Sequence, residues 1–258
     1  MNLVIGKNGF LASYLQKHSL FQKDFIFSKI SGLDDISLPI SKVIILTFDN
    51  KWKEISGYDC DIEKKILKRF GSEGVPIEYM STSKVYGQSD IPLTEEDLLN
   101  PSSYYAENKI IAENFIKNNF KNFHIYRVSN VFNDTGGANK TFFNLLIENL
   151  KNNIINFDVS SESVRDFITT DYIAKFLYSS KYSTSGIFNL SSSIPIAIKD
   201  IVEELLVSNN INKKNLLISY GDVIVSQVLD NNKLTKYYKI PRISKRIIFN
   251  EVSKINAK

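Results

Sequence analysis

Short apolar runs alternate with segments of helical periodicity along most of this chain. The runs have the length of buried strands, and the segments between them repeat apolar residues at three- and four-residue steps, which is typical of amphipathic helices. This alternation predicts an α/β fold of the Rossmann type, a doubly wound parallel sheet with right-handed crossovers. The predicted strands are residues 2–5, 24–29, 42–47, 76–80, 123–128, 154–157 and 186–190.

The chain length of 258 residues allows one large α/β domain with a small appendage. The alternation weakens in the last third. We therefore expect a Rossmann domain at 1–160, with contributions from about 171–190, and mainly a small, irregular substrate-binding lobe at 161–258. One crossover is expected to be abbreviated, because about a dozen residues separate the second and third strands.

Charge and cysteine content narrow the classes of partner. The 32 basic and 28 acidic residues are well mixed, so neither a nucleic-acid patch nor a membrane patch is indicated. Cys60 is alone, which excludes an intrachain disulfide, and with only His18 and His124 beside it we expect no metal site. Since the chain has no apolar run near 18 residues and no signal-peptide pattern, the cytoplasm is the simplest expected location.

A glycine-rich turn joins the first predicted strand to the first helix. Gly6, Gly9 and Ala12 follow one another at three-residue steps at this junction. Glycine permits positive φ and close backbone approach, and a helix N-terminus offers free N–H groups to a pyrophosphate. The spacing and context together predict a dinucleotide-binding turn, with an ordinary tight turn as the alternative.

The end of the second strand bears on which dinucleotide would bind. In dinucleotide-binding folds an acid at this position selects NAD, while a basic residue accommodates the 2′-phosphate of NADP. Ser28 and Lys29 stand there, with no acid at the tip. The pattern favours NADP(H) over NAD(H), unless Lys29 is only a solvated loop residue.

Tyr105 and Lys109 lie four residues apart in a segment of helical periodicity, so they share one helix face. An ammonium beside a phenol favours the phenolate, which is expected to lower the pKa of Tyr105 and suit it to proton transfer. The neighbouring Tyr104 has the uncharged Asn108 at the same spacing. Ser102 and Ser103 precede the segment and provide a plausible N-cap.

Hydroxyl and amide side chains follow two of the predicted strands. Ser81, Thr82 and Ser83 come directly after strand 76–80, and Asn130 follows strand 123–128. Ligands of open parallel sheets bind at the carboxyl ends of the strands, so these residues are candidates for a site, although many such residues are only caps.

Five segments in this order resemble the extended short-chain dehydrogenase/reductase superfamily, in its nucleotide-sugar epimerase/dehydratase branch. They correspond to the cofactor turn, the Ser-Thr segment, the Tyr-x-x-x-Lys pair, an Arg-x-x-Asn segment and an Arg-Asp-Phe segment of that family. The five segments are residues 6–12, 81–87, 105–109, 127–132 and 165–171.

The resemblance implies a role for each matching residue. Thr82 would hydrogen-bond the reacting oxygen, Tyr105 would be the acid/base, and Lys109 would hold the nicotinamide ribose and lower the pKa of Tyr105. Asn130 would contact the sugar nucleotide and Arg165 its diphosphate. The remaining expected contacts are Gly6, Asn8, Gly9, Phe10, Leu11, Ser28, Lys29, Thr47 and Ser81 to the cofactor, and Ser83 to the substrate.

The chain departs from the family pattern at three places. Dehydratases of the family carry Asp-Glu after the threonine, where this chain has Ser83-Lys84, so dehydration is not expected. Thr47-Phe48 stands where the family usually carries two alanines near the nicotinamide. Ser219-Tyr220 precedes Gly221, where the family often places another diphosphate-binding arginine.

The resemblance and these departures favour an NADPH-dependent reductase of a nucleotide-linked 4-keto-6-deoxy hexose, in the biosynthesis of surface-polysaccharide sugars. A nucleotide-sugar 4-epimerase with tightly bound NAD is the nearest alternative, and a non-catalytic cofactor-binding scaffold is the alternative of another class. A homodimer through the helices at 61–70 and around Tyr105 is possible, with Ile110 and Phe115 in the interface or else buried within one chain.

Overall fold

The computed structural model describes residues 1–48, 50–134, 141–180 and 184–256. A six-stranded parallel sheet forms its centre, and three two-stranded sheets accompany it. Within the described residues the strands are β1 (Asn2–Ile5), β2 (Phe25–Ser28), β3 (Lys42–Ile45), β4 (Ile77–Met80), β5 (Phe123–Val128), β6 (Asn130–Phe132), β7 (Ile154–Phe157), β8 (Val164–Arg165), β9 (Phe167–Thr169), β10 (Gly186–Leu190), β11 (Ile196–Ala197) and β12 (Leu217–Tyr220).

Helices cover both faces of the central sheet and build the smaller lobe. The helix at the candidate site begins at Tyr104, directly after Ser103, whose hydroxyl accepts a hydrogen bond from the Ala106 N–H. This confirms the N-cap expected there. The α-helices of the described chain are α1 (Phe10–Lys17), α2 (Asp61–Phe70), α3 (Tyr104–Asn119), α4 (Phe142–Lys151), α5 (Thr170–Ser179), α6 (Ile198–Ser208), α7 (Asn232–Tyr237) and α8 (Lys245–Val252).

The central sheet has the order β10-β5-β4-β3-β1-β2, with every pair parallel. The chain leaves β1 toward β2 and then crosses back to β3 on the other side of β1. The carboxyl ends of β1 and β3 therefore form a topological switch point, where ligands of such sheets bind. The crossover from β2 to β3 contains only the single helical turn Ile30–Gly32, which confirms the abbreviated connection.

Alternate residues of each central strand enter different cores. Leu3 and Ile5 of β1 pack with α2 and α3 on one face, while Val4 packs with α5 on the other. Because both faces are covered, these strands read in sequence as continuous apolar runs.

A third core belongs to the lobe that follows the central sheet. Phe132, Phe143 and Phe167 pack there as a ring cluster beneath α6 and α8. Strand β7 pairs with β12 of this lobe and not with the central sheet, and β8 pairs with β11. Gly136 and Gly137, a pair of residues that predicts a loop, lie outside the described residues.

Two residues named for a dimer interface are packed within the chain. Ile110 lies against the cluster of Val85, Tyr86 and Leu93, and Phe115 packs on the core of the α2–α3 face. The described helices include none that is both long and apolar enough to cross a membrane.

Candidate active site

The glycine turn lies at the switch point of the sheet. Gly6 has a φ of +111°, and a Cβ atom there would stand 3.0 Å from both Cβ and N of Thr47. The turn closes with a 2.8 Å hydrogen bond from the Gly9 N–H to the Gly6 carbonyl, and the Gly6 N–H donates to Ser28. Only glycine combines this φ with so close an approach to the end of β3.

Helix α1 begins at Phe10 with its first N–H groups unclaimed by a side chain. Its N-cap is Gly9, which has no side chain to offer, and no acid stands in the first turn. Asn8 and Gly9 are exposed, while Leu11 packs into the core below. An exposed, uncapped helix N-terminus beside a glycine turn fits the diphosphate of a dinucleotide.

The end of β2 contains both a basic residue and, close by, an acidic one. Lys29 is exposed, and the Ser28 hydroxyl donates to the Lys29 carbonyl at 2.9 Å. A Cβ atom on Gly32 would lie 3.1 Å from the Ser28 Oγ and 3.9 Å from an Asp35 carboxylate oxygen. Sequence reasoning missed Asp35, because the short turn after β2 folds it back toward Ser28.

Lys109 is buried in an aromatic cage at the end of β4. Its Nζ donates to the Met80 carbonyl at 2.7 Å. The Nζ lies 4.4 Å from the ring centre of Tyr79, and Trp52, Phe48 and Tyr105 follow at 5.4, 5.7 and 5.9 Å. These rings offer their electron-rich faces to the ammonium in place of water.

The electrostatics of this pair differ from the sequence-based expectation. Burial raises the pKa of Tyr105 above its usual value, so the expected lowering by Lys109 is wrong for the protein without ligand. Burial also lowers the pKa of Lys109 to about 8, although the negative charges of Glu63 and Glu113 oppose this. The Phe48 ring stands edge-on to Tyr105 at 5.1 Å and contributes to this dry environment.

Asn108 fixes the segment that covers Lys109. Its carbonyl oxygen accepts from the Tyr58 N–H at 3.0 Å, and its amide donates to the carbonyls of Trp52 and Ile55. The residue that was considered only as the uncharged neighbour in the Tyr-Lys spacing therefore holds the cage together. A buried amide with three satisfied hydrogen bonds was not visible in the sequence pattern.

The hydroxyl segment after β4 has one half-buried residue, Thr82, between two buried ones. Thr82 is half-buried, and its Oγ1 accepts from the Lys84 N–H at 3.3 Å, which caps the turn Ser83–Val85. Ser83 is buried, and its carbonyl accepts from Gln227. Ser81 is buried as well and donates to the Glu113 carboxylate. Thr82 is therefore the member of the segment that is best placed to meet a ligand.

A buried ion pair between Glu113 and Arg127 lies one helical turn beyond Lys109. The Glu113 carboxylate accepts from the Arg127 guanidinium at 2.8 to 3.3 Å and also from Ser81. The remaining Arg127 nitrogen donates to the Tyr86 hydroxyl at 2.9 Å, and this hydroxyl donates to Asn189. This network ties α3 to β4, β5 and β10, and it was not predicted.

The other two expected substrate residues, Asn130 and Arg165, lie at the border of the lobe. The Asn130 amide donates to the Asp166 carbonyl at 2.9 Å. Arg165 donates to the carbonyls of Val164 and Val225, and it has no acidic partner among the described residues. Burial lowers the pKa of Arg165. A half-buried guanidinium whose only partners are neutral carbonyls can still accept an anion.

Two other predicted residues have structural partners. Asp171 ends the matching segment 165–171, and an acid at a helix start is an ordinary N-cap, but the cap of α5 is Thr169, whose hydroxyl accepts from the Tyr172 N–H at 3.1 Å. Asp171 instead binds His18 at 3.3 Å and Lys175 at 2.6 Å. His18 therefore joins the end of α1 to the start of α5.

Two surface depressions lie away from the candidate catalytic residues. One, of about 630 Å³, is lined by Leu20, Tyr178 and the segment 237–241. The other, of about 520 Å³, includes Ser192, Asn231 and the segment 240–244. Neither contains Thr82, Tyr105 or Lys109.

A parallel sheet with a glycine turn at its switch point and a Tyr-x-x-x-Lys helix beside it defines the extended short-chain dehydrogenase/reductase fold. The chain belongs to the family described as "RmlD substrate binding domain", whose model matches residues 60–191. It is 30% identical over 156 residues to the dTDP-4-dehydro-6-deoxyglucose reductase of Escherichia coli. That match covers 56% of this chain and about half, 48%, of the relative.

Solved structures of related fold align with nearly the whole chain. MoeE5, in complex with UDP-glucuronic acid and NAD, has a TM-score of 0.80 at 18% identity and covers 98% of this chain and 96% of its own. RMD from Pseudomonas aeruginosa, complexed with NADPH, has a TM-score of 0.74 at 18% identity and covers 98% and 97%. A UDP-N-acetylglucosamine 4-epimerase from Methanobrevibacter ruminantium has a TM-score of 0.80 at 19% identity and covers 98% and 96%.

Proposed function

We propose that this chain is an NADPH-dependent reductase of a nucleotide-linked 4-keto-6-deoxy hexose. One observation carries the proposal. The 2.7 Å hydrogen bond from Lys109 to the Met80 carbonyl fastens the Tyr-Lys helix to the end of β4, two residues before Thr82. The three residues that would act on a carbonyl are thereby held at the same edge of the sheet as the glycine turn.

Each of the three has a separate task in this proposal. A nicotinamide bound at this edge would supply the hydride. Tyr105 would give its phenolic proton to the carbonyl oxygen as that oxygen gains charge, and the half-buried Thr82 hydroxyl would orient the same oxygen. The phenol is protonated near neutral pH even at the ordinary tyrosine pKa of about 10. Burial raises the pKa of Tyr105 further, so the phenol would keep its proton until charge develops on the carbonyl oxygen.

The cofactor would lie along the ends of β1, β2 and β3. The unclaimed N–H groups at the start of α1 suit its diphosphate, and the close packing of Gly6 on Thr47 leaves backbone exposed at the turn. The exposed Lys29 supports NADP(H), because an ammonium at the end of β2 can neutralise a 2′-phosphate. Phe48 covers Lys109, so the cofactor would have to share or displace this ring.

The substrate would extend from Thr82 toward the lobe. Arg165 has no acidic partner in the described chain and suits a diphosphate, with Asn130 beside it. Lys84 is exposed where an elimination reaction would need a carboxylate, which favours reduction over dehydration. The reductase of Escherichia coli named above supports the same substrate class.

A nucleotide-sugar 4-epimerase is the second candidate, and Asp35 is the observation that favours it. A carboxylate near Ser28 suits the free ribose hydroxyls of NAD, which an epimerase keeps bound and recycles. If the purified protein retains NAD(H) and interconverts sugar nucleotides without consuming added cofactor, this candidate replaces the reductase.

The test is a panel of nucleoside-diphosphate 4-keto-6-deoxy hexoses, each assayed for oxidation of NADPH and of NADH. The reductase proposal expects one equivalent of NADPH consumed per sugar reduced, with NADH less effective. No consumption of either cofactor with any member of the panel would contradict it. The variant Lys29→Ala should weaken binding of NADPH and leave that of NADH unchanged, with Lys117→Ala, at an exposed lysine near the end of α3, as the matched surface control.

A further inference from the structure

Glu63 is a buried carboxylate in the apolar face of α2. It is fully buried, together with Ile62, Ile66 and Phe70 of the same helix. Neither of its carboxylate oxygens makes a hydrogen bond of ordinary geometry to a described residue. A carboxylate in such a place costs free energy unless an opposite charge compensates it, so its surroundings require an explanation.

A chain of contacts leads from the start of α2, beside Glu63, to Lys109. Tyr58 precedes α2, and its hydroxyl accepts from the Ile62 N–H at 3.1 Å. The Tyr58 ring lies 4.3 Å from the Trp52 ring, and Lys109 stands above Trp52 and Tyr79. We call Trp52, Tyr58, Glu63, Tyr79 and Lys109 the buried polar cluster.

The buried polar cluster is poor in hydrogen bonds. The Trp52 indole N–H and the Tyr79 hydroxyl make none in the described chain, and Lys109 uses one of its three N–H donors. Lys109 also forms no ion pair within 4 Å among the described residues. Unsatisfied buried groups gathered beside a proposed proton-transfer residue point to a functional arrangement more than to a stabilising one.

Glu63 and Lys109 are the two opposite charges of the cluster that lack a close partner. Burial raises the pKa of the Glu63 carboxyl, while its own backbone N–H, the ammonium of Lys109 and the Tyr58 hydroxyl all favour the charged form. In the same way Glu63 favours the charged form of Lys109. Glu113 acts on Lys109 too, but its charge is already neutralised by Arg127. The other titratable groups that face the pair are Tyr58, Cys60, Asp61, Tyr79 and Tyr105.

We propose that Glu63 is a positioning residue of this site, whose buried carboxylate is the counterion that keeps Lys109 charged inside its aromatic cage. It touches neither cofactor nor substrate and acts through Lys109. Its catalytic consequence rests on the proposed function, since a charged Lys109 matters only if Tyr105 transfers a proton. The counterion role itself does not depend on any reaction.

The experiment follows Lys109 in the ligand-free protein by NMR with lysine labelled at the ε carbon. The Lys109 signal is the one absent from Lys109→Met. In Glu63→Gln its titration midpoint should fall by about one pH unit or more, because the opposing charge is lost. In Glu107→Gln, an equal change on α3 that does not face Lys109, the midpoint should stay at the wild-type value. An unchanged midpoint in Glu63→Gln overturns the proposal.

Two further measurements cover the other outcomes. Glu63→Asp keeps the negative charge, so the titration midpoint of Lys109 should lie closer to the wild-type value than to that of Glu63→Gln. A purely structural role of Glu63 would not require this. If Glu63→Gln does not fold, the wild-type protein is used instead. The chemical shift of the Glu63 carboxyl carbon should then show a second inflection at the titration midpoint of Lys109. A curve with one inflection, away from that midpoint, contradicts the proposal.

Failure of the proposed function is distinguishable from failure of this inference. Under the reductase proposal the alkaline limb of the NADPH-oxidation profile should move to lower pH in Glu63→Gln, in step with the NMR midpoint. If no sugar nucleotide supports oxidation, the reductase proposal fails while the NMR midpoint still decides the role of Glu63.

Discussion

Helix α3 carries two buried charges one turn apart, and their surroundings differ. Glu113 receives hydrogen bonds from Arg127 and Ser81, and the network continues to Tyr86 and Asn189. Lys109 has one hydrogen bond, to the Met80 carbonyl, and a cage of rings. Its proposed counterion, Glu63, forms no direct ion pair with it. The satisfied pair ties three strands to the helix. Lys109, whose hydrogen bonds are incomplete, lies beside Tyr105, where a change in its charge would alter the pKa of the tyrosine.

The difference shows how to separate scaffold from chemistry within one helix. Charges of the scaffold are completely paired, because any missing partner costs stability. Lys109, at the candidate site, is incompletely paired, as expected of a group whose protonation responds to a ligand. Substitutions along α3 should therefore fall into two groups, those that lower turnover and those that lower stability.

The largest expected effect is on turnover at Tyr105. Under the proposed function Tyr105→Phe removes the phenolic proton that would go to the carbonyl oxygen, so turnover should fall by about 10²–10⁴, the usual weight of general acid catalysis. Binding of NADPH, measured by fluorescence titration, should persist. The matched control is Tyr104→Phe at the exposed neighbour. Full activity in Tyr105→Phe would remove Tyr105 from the proposed site.

The next effect is on stability at the satisfied pair. Arg127→Met strands the Glu113 carboxylate in the interior, which should lower the free energy of unfolding by about 3–5 kcal/mol. Arg69→Met breaks the surface pair with Glu73 and should cost about 0–1 kcal/mol. Urea denaturation of both variants checks this. Equal losses would mean that burial adds nothing to the Arg127 pair.

A smaller effect on stability is expected at Ser81. Ser81→Ala removes one hydrogen bond to Glu113 and leaves part of a buried carboxylate unsatisfied, so the loss should be about 1–3 kcal/mol. The family resemblance implied that Ser81 contacts the cofactor. The same variant therefore sharpens the comparison: weaker binding of NADPH, without the loss in urea, assigns Ser81 to the site and not to the scaffold.

The smallest effect expected is a change in the pH dependence of stability. The folded-state pKa of Glu63 is raised, so the folded state holds its proton longer than the unfolded state. The stability that this proton contributes is present below the unfolded pKa and is lost as pH rises through the folded one. Wild type should therefore lose stability relative to Glu63→Gln between acid and neutral pH. Urea denaturation at acid and at neutral pH checks this. An equal difference in the free energy of unfolding between the two proteins at both pH values would contradict it.

Local patterns predicted much of the fold. The strands at 123–128, 154–157 and 186–190 and the helix at 61–70 have the expected bounds. Strands 24–29 and 42–47 were expected one or two residues too long, because both pair with the four residues of β1, which ends at the Gly6 turn. The short strands β6, β8, β9 and β11 were missed, since two- and three-residue pairings leave no periodicity.

The candidate site was predicted only as far as local spacing reaches. The glycine turn and the Tyr105–Lys109 pair depend on residues near in sequence, whereas Glu113 meets Arg127 only after α3 packs on β5. Glu63 did leave a signal. It lies three and four residues before Ile66 and Leu67, so a carboxylate stood within the apolar stripe of α2. The aromatic cage had no signal, because Trp52 and Tyr79 come from separate elements.

The most direct test is to measure turnover and unfolding together in Lys109→Met. Methionine fills a similar volume, and Glu63 can take up a proton when its counterion is gone. We expect turnover to be lost while the free energy of unfolding stays within about 1.5 kcal/mol of wild type. A loss of stability equal to that of Arg127→Met, with turnover retained per folded molecule, would place Lys109 in the scaffold and contradict the distinction between the two charges.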